Sequence, residues 1–184
     1  MLKYIANKIT KFQLDEASKR LPEGSAEAFN LLYTKYHNEI YRYCLKMLGD
    51  ATKAKDAFQD TFIKVYEKRD QFDGGNFRAW LYRIARNICI NSIRNQQTDT
   101  EFDEEFLSPL SPNQDEYDIK ELIGKALATL PDEMREAIVL REYEQLSYFE
   151  ISETLGISLS LSKIRVHRAR NLLRLYLEPI LKEL

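Results

Sequence analysis

Apolar residues in this chain recur every three or four positions and nowhere alternate with period two, so helices are the only elements that can bury them together. Phe29, Leu32, Tyr36, Ile40, Tyr43 and Met47 form one such stripe, and Phe58, Phe62 and Val65 form a second. Phe77, Leu81, Ile84 and Ile88 form a third. With only six Gly and five Pro in 184 residues, few breakers interrupt the pattern. The expected fold class is all-α.

Helix punctuation divides the chain. Ser25 opens the first long helix, Gly49 stops it, and Asp50 caps the next, which is expected to run to about Lys68. A Phe-Asp-Gly-Gly turn leads to Asn76, the expected cap of a third long helix. Three long helices with short connections imply an antiparallel bundle over residues 25–95. Residues 1–24 suggest a short amphipathic helix (Leu2, Ile5, Ile9, Phe12) ending near Pro22 and Gly24 and packed on that bundle. Residues 96–118 combine acids with the run LSPLSPN and little periodicity, and are expected to form an extended acidic tether.

The second unit, 119–184, starts with a helix built on Leu122, Ile123, Ala126, Leu127 and Leu130. Pro131 starts another, with Asp132 and Glu133 in its first turn. Ser147 and Glu150 have the spacing of a capping box, Gly156 supplies a turn, and Ser158 is placed to cap a long basic helix. Short helix, glycine turn and basic helix is the helix-turn-helix pattern.

The net charge of −2 hides a segregation of sign. Residues 76–95 and 158–177 contain Arg and Lys but no acid, and they flank the acidic tether, a layout suited to a polyanion binder. Three candidate faces follow. Asp56, Gln59 and Asp60 share one side of the second helix with Ile63 at its border; such a face could simply be solvated or could dock a basic partner. On the third helix Trp80, Arg83, Asn87, Asn91 and Arg94 fall within an arc of about 80°, where an aromatic plane, guanidinium groups and amides could stack and hold unpaired bases. Trp80 at a core edge fits either that role or plain packing. The last helix turns Ser162, Val166, Ala169, Leu173 and Tyr176 inward and Ser160, Leu161, Lys163, Ile164, Arg165, Arg168 and Arg170 outward, as a major-groove reader would.

Taken together, AEAFNLLYTKYHNEIYRYC, AKDAFQDTFIKVY, FRAWLYRIARNICINSIR and the segment from LATLPDEMREAIVL through KIRVHRARNLL resemble, in order, the extracytoplasmic-function sigma factors of bacterial RNA polymerase. The resemblance implies an N-terminal helical bundle (sigma region 2) and a four-helix, homeodomain-like or winged-helix-like helix-turn-helix domain (sigma region 4). It assigns Asp56, Gln59, Asp60, Phe62 and Ile63 to the clamp helices of the polymerase's largest subunit, with region 4 near the flap. It assigns Trp80, Arg83, Arg86, Asn87, Asn91 and Arg94 to the −10 element of the promoter. Ser158, Ser160, Leu161, Lys163, Ile164, Arg165 and Arg168 are assigned to the −35 element. The tether would thread near the active-site cleft and RNA exit path. Implied partners are core RNA polymerase, promoter DNA and an anti-sigma protein, often membrane-anchored.

Two departures bear on the last helix. Ser160, Leu161 and Ser162 stand where the family usually has Gly-Thr-Val, and the Ser162 hydroxyl falls on the inward row, where it needs an acceptor such as the carbonyl four residues back. Ser152 replaces a usual Ala, and Asn91 a common Asp.

No catalytic residues, metal ligands or cofactor are expected: Cys44, Cys89, His37 and His167 are scattered, and no Gly-rich phosphate loop or nucleophile–base pair is present. No run approaches the ~20 apolar residues of a membrane span, and a cytoplasmic location is expected, with an anti-sigma partner able to hold the protein at the inner face of the membrane. A competing reading is a stand-alone helix-turn-helix regulator that binds duplex DNA without polymerase, which leaves the Asp56 face and the Trp80 stripe without a task.

Overall fold

Most of the helices begin where a side chain can satisfy a first free amide, and these caps set the architecture. The computed structural model describes residues 9–99 and 119–183. They are helical throughout, with no strand among the described residues. The helices are α1 (Lys11–Arg20), α2 (Ala26–Leu48), α3 (Ala51–Glu67), α4 (Phe77–Asp99), α5 (Ile119–Ala128), α6 (Asp132–Ile138), α7 (Tyr148–Leu155) and α8 (Leu159–Glu183). Ser25 accepts from the Ala28 amide, Asp50 from Lys53, Asn76 from Ala79, and Ser158 from Leu161. Gly49 and Gly156 end α2 and α7 in the left-handed conformation that glycine adopts without steric penalty. The Ser147–Glu150 capping box is closed in both directions.

Helices α2, α3 and α4 form the expected bundle around Leu32, Ile40, Met47, Phe62, Val65 and Leu81. Three details differ from the periodicity. The buried row of α4 runs through Tyr82, Ala85 and Cys89 as well as Phe77 and Leu81, leaving Ile84 and Ile88 half-buried. The N-terminal helix starts at a Thr10–Gln13 capping box and buries Ala17 and then Leu21, while Phe12 stays 73% exposed; Leu2 and Ile5 lie outside the described residues. Helix α4 also continues to Asp99, four residues into the stretch expected to be tether, and residues 100–118 lie outside the described residues.

Helices α5–α8 form the second unit, and α7–Gly156–α8 has the helix-turn-helix order. Ser162 is fully buried, and its hydroxyl donates to the carbonyls of Leu159 and Tyr148, three and fourteen residues back rather than four. Ser152 likewise donates to the Phe149 carbonyl. Between α6 and α7 the chain makes one wide π-turn over Val139–Tyr143, with the Glu144 amide reaching back five residues to the Val139 carbonyl. The two units do not stand apart: α4 packs on α7, α2 packs on the π-turn, and one continuous core runs through both. No described helix is long and apolar enough to cross a membrane.

Replacing Ser147 with Ala removes one half of the capping box and is expected to cost about 1 kcal/mol. Thermal unfolding followed by circular dichroism should show a lower Tm with unchanged helix content.

Candidate nucleic-acid and partner interfaces

On α3, alternation of buried and exposed positions sorts the candidate residues cleanly. Asp56, Gln59 and Asp60 are exposed, and Ile63 is 53% exposed beside them. Phe62 is buried on the opposite side, its ring 4.8 Å from that of Tyr33 and 5.4 Å from that of Phe58. Phe62 therefore supports the face from behind. Tyr66, 47% exposed one turn on from Ile63, extends the apolar edge, an extension that the spacing of Ile63 and Tyr66 makes readable in the sequence.

Helix α4 splits its candidate stripe in two. Asn91 lines a shallow groove with Asp56 and Asp60 of α3. Trp80, half-buried, packs on Phe72 and Phe77 with ring centroids 5.3 Å and 5.8 Å away. Asn87 and Arg94 are exposed. Arg83 and Arg86 both point at the second unit. Arg83 donates to the Glu153 carbonyl at the end of α7, at 2.7 Å. Arg86 makes a two-pronged contact with Glu136, at 2.6 Å and 3.1 Å.

On α8, Ser158, Ser160, Leu161, Lys163, Ile164 and Arg168 are exposed and form a common face. Arg165 departs from them. Its side chain is only 15% exposed and pairs with Glu133 at 2.6 Å.

The residues that sequence reasoning missed are two carboxylates, Glu136 and Glu144, on either side of the apolar run Ala137–Leu140. Glu136 and Glu144 have side chains 1% and 0% exposed, and both sit where the two units meet. Glu144 accepts from the Tyr82 hydroxyl at 2.8 Å and from Arg42 at 3.3 Å, while Arg78 donates to its backbone carbonyl. Burial pushes both carboxyl groups above their ordinary range. Arg86 and Arg165 oppose the shift at Glu136, as Tyr82 and Arg42 do at Glu144. A sequence signal existed, since Glu136 and Glu144 interrupt the stretch EAIVLREYEQL where helical periodicity calls for apolar residues. Cys44 and Cys89 are fully buried, and the Cys44 thiol is raised well above its ordinary value by its hydrogen bond with Cys89 and by burial, as expected of core cysteines.

Comparison with known proteins agrees with this layout. Residues 32–98 match the family model described as Sigma-70 region 2, and residues 120–173 match Sigma-70, region 4. The ECF RNA polymerase sigma factor SigW of Bacillus subtilis is 33% identical over 178 residues, covering 88% of this chain and 95% of the relative. The RNA polymerase sigma-H factor of Pseudomonas aeruginosa is 31% identical, covering 95% and 99%. Among solved structures, the sigma factor RpoE of Bartonella quintana, in complex with the anti-sigma factor NepR, aligns with TM-score 0.68 and 28% identity over 83% of this chain and 98% of that one.

Glu136 and Glu144 bind protons more tightly when the units are packed than when water reaches them. Their contribution to packing is therefore fully present below the ordinary carboxylate range and is lost as pH rises through the raised values. Small-angle scattering should give a radius of gyration that is smallest below the ordinary carboxylate range and grows as pH rises above it, and Glu144→Gln should weaken that dependence.

Proposed function

The chain belongs to the extracytoplasmic-function sigma factors, subunits that bind core RNA polymerase and direct promoter-specific initiation, and we propose that its three faces divide that work. Asp56, Gln59 and Asp60, backed by Phe62 and edged by Ile63, dock on the clamp helices of the largest subunit. Trp80, Arg83, Arg86 and Asn87, with Asn91 and Arg94 further along α4, hold the unpaired strand of the −10 element. The exposed face of α8 enters the major groove at the −35 element, with the second unit against the flap.

The observation that supports this reading is that all three faces lie within residues 32–98 and 120–173, the stretches similar to Sigma-70 regions 2 and 4. A regulator working without polymerase is not favoured, because it gives the region 2 bundle no role. The protein acts by binding rather than by catalysis, and it works in the cytoplasm alongside the polymerase. By similarity to the Bartonella protein seen with NepR, an anti-sigma protein is its antagonist.

In the packed arrangement Arg83 and Arg86 are occupied by the second unit and cannot hold DNA. The −10 and −35 elements lie roughly 25 base pairs apart, about 85 Å of duplex at ~3.4 Å per pair. Reading both requires the two units to part, and the 19 residues of 100–118 reach at most about 65 Å when fully extended. The dimensions of the two units make up the remainder. Docking on polymerase is the event that separates them and frees both arginines.

Reversing charge at Asp56→Lys and Asp60→Lys together is expected to abolish co-elution with core polymerase on gel filtration while leaving the helical spectrum intact. Retained co-elution would move the docking site elsewhere. The free protein should bind promoter duplex weakly in a gel shift, and specifically only once core polymerase is added.

A further inference from the structure

Among the cations of α8, Arg165 faces the protein rather than the solvent. Ser162, Val166 and Ala169 form the buried row of this helix, and at about 100° per residue Arg165 lies within roughly 60° of that row. Its guanidinium reaches across to α6. There one nitrogen pairs with Glu133 at 2.6 Å, and the other lies 3.7 Å from Glu136. Lys163 and Arg168, two residues before it and three after, are exposed on the outer face.

We propose that Arg165 is a positioning residue for −35 recognition, a clamp that fixes the roll of α8 over α6, and that the base edges are read by the exposed side chains around Lys163 and Arg168. The proposal rests on the reading of α8 as the −35 helix. A guanidinium gripped from two sides restrains rotation of the helix better than a point charge would, because its planar fork holds a fixed direction. The restraint matters at the tips of the reading side chains. About 6 Å from the helix axis, a roll of about 10° displaces them by about 1 Å, enough to spoil a bidentate contact with a base.

Glu136 adds a reason for Arg165 to stay. In the packed arrangement this buried carboxylate is held chiefly by Arg86 of the first unit, with Arg165 as second partner. When Arg86 leaves to hold DNA, Arg165 is the cation still beside Glu136 within the same unit. A carboxylate in such a site favours keeping its remaining partner over releasing it to a phosphate. The clamp therefore tightens at the moment α8 is needed.

The test uses holoenzyme reconstituted from core polymerase and the full chain, titrated against promoter fragments carrying each single-base change in the −35 element. Active protein is counted in every preparation. Arg165→Ala and Glu133→Ala should each raise Kd roughly three- to tenfold on every fragment, and the double variant should be no weaker than Arg165→Ala. The slope of log Kd against log salt should stay that of wild type. The clamp is overturned if Arg165→Ala loses discrimination at one base pair while Glu133→Ala binds like wild type, the pattern of a base reader. A salt slope shallower by about one unit for Arg165→Ala would overturn it too, marking a phosphate contact. So would a lower active fraction with unchanged Kd, which marks a purely structural loss. A wild-type holoenzyme indifferent to every −35 substitution would instead overturn the reading of α8 itself, and the clamp with it.

Discussion

Burying a carboxylate is expensive unless cations and hydroxyls surround it, and this chain buries two of them at the contact between its halves. Glu136 is gripped by Arg86, and Glu144 by Tyr82 and Arg42. These contacts make the packing specific without making it strong. Well-packed apolar side chains of similar volume in place of these paired carboxylates would hold the continuous core at least as tightly. The Tyr43 hydroxyl and one oxygen of Glu144 are buried nearby without a protein partner, each a penalty of about 1–3 kcal/mol. A seam with such defects is one that can part, as a two-headed DNA reader requires.

The same contacts give the arginines of α4 two claimants under the proposed function. A guanidinium suited to phosphate is equally suited to carboxylate, since both offer oxygens in the geometry of its fork. Glu136 therefore occupies Arg86 much as a nucleic-acid strand would, and the Glu153 carbonyl does the same for Arg83. On the proposed reading of α4, the chain's own acids and carbonyls compete with DNA for one set of donors, without any change in the donors themselves.

Local features were legible in the sequence because local chemistry determines them. Ser25, Asp50, Asn76, Ser147 and Ser158 cap the helices expected of them, and the Asp56–Gln59–Asp60 face is exposed as its spacing required. What could not be read was whatever depends on the meeting of distant segments. Periodicity puts Arg165 nearer the buried row of α8 than Arg168, but only the position of α6 supplies the Glu133 and Glu136 carboxylates that hold it there. The buried row of α4 likewise extends to Tyr82 and Cys89, where Tyr43 and Cys44 of α2 pack and the Glu144 carboxylate of the second unit meets the Tyr82 hydroxyl. Ser162 shows the same limit on a smaller scale: the need for an acceptor was plain, but the Tyr148 carbonyl is supplied by another helix.

The wide turn at Val139–Tyr143 carries a consequence for how such a chain can be inherited. A π-turn accommodates one residue more than the α-helix around it, so losing a single residue there would restore a regular helical path instead of breaking it. Glu136, upstream of the turn, would stay in place. Glu144, downstream, would swing by about 100° around the axis and away from Tyr82 and Arg42. One in-frame codon deletion would thus remove the Glu144 half of the restraint between the two units while leaving the Glu136 half upstream in place, a short evolutionary step from a doubly latched protein to a singly latched one.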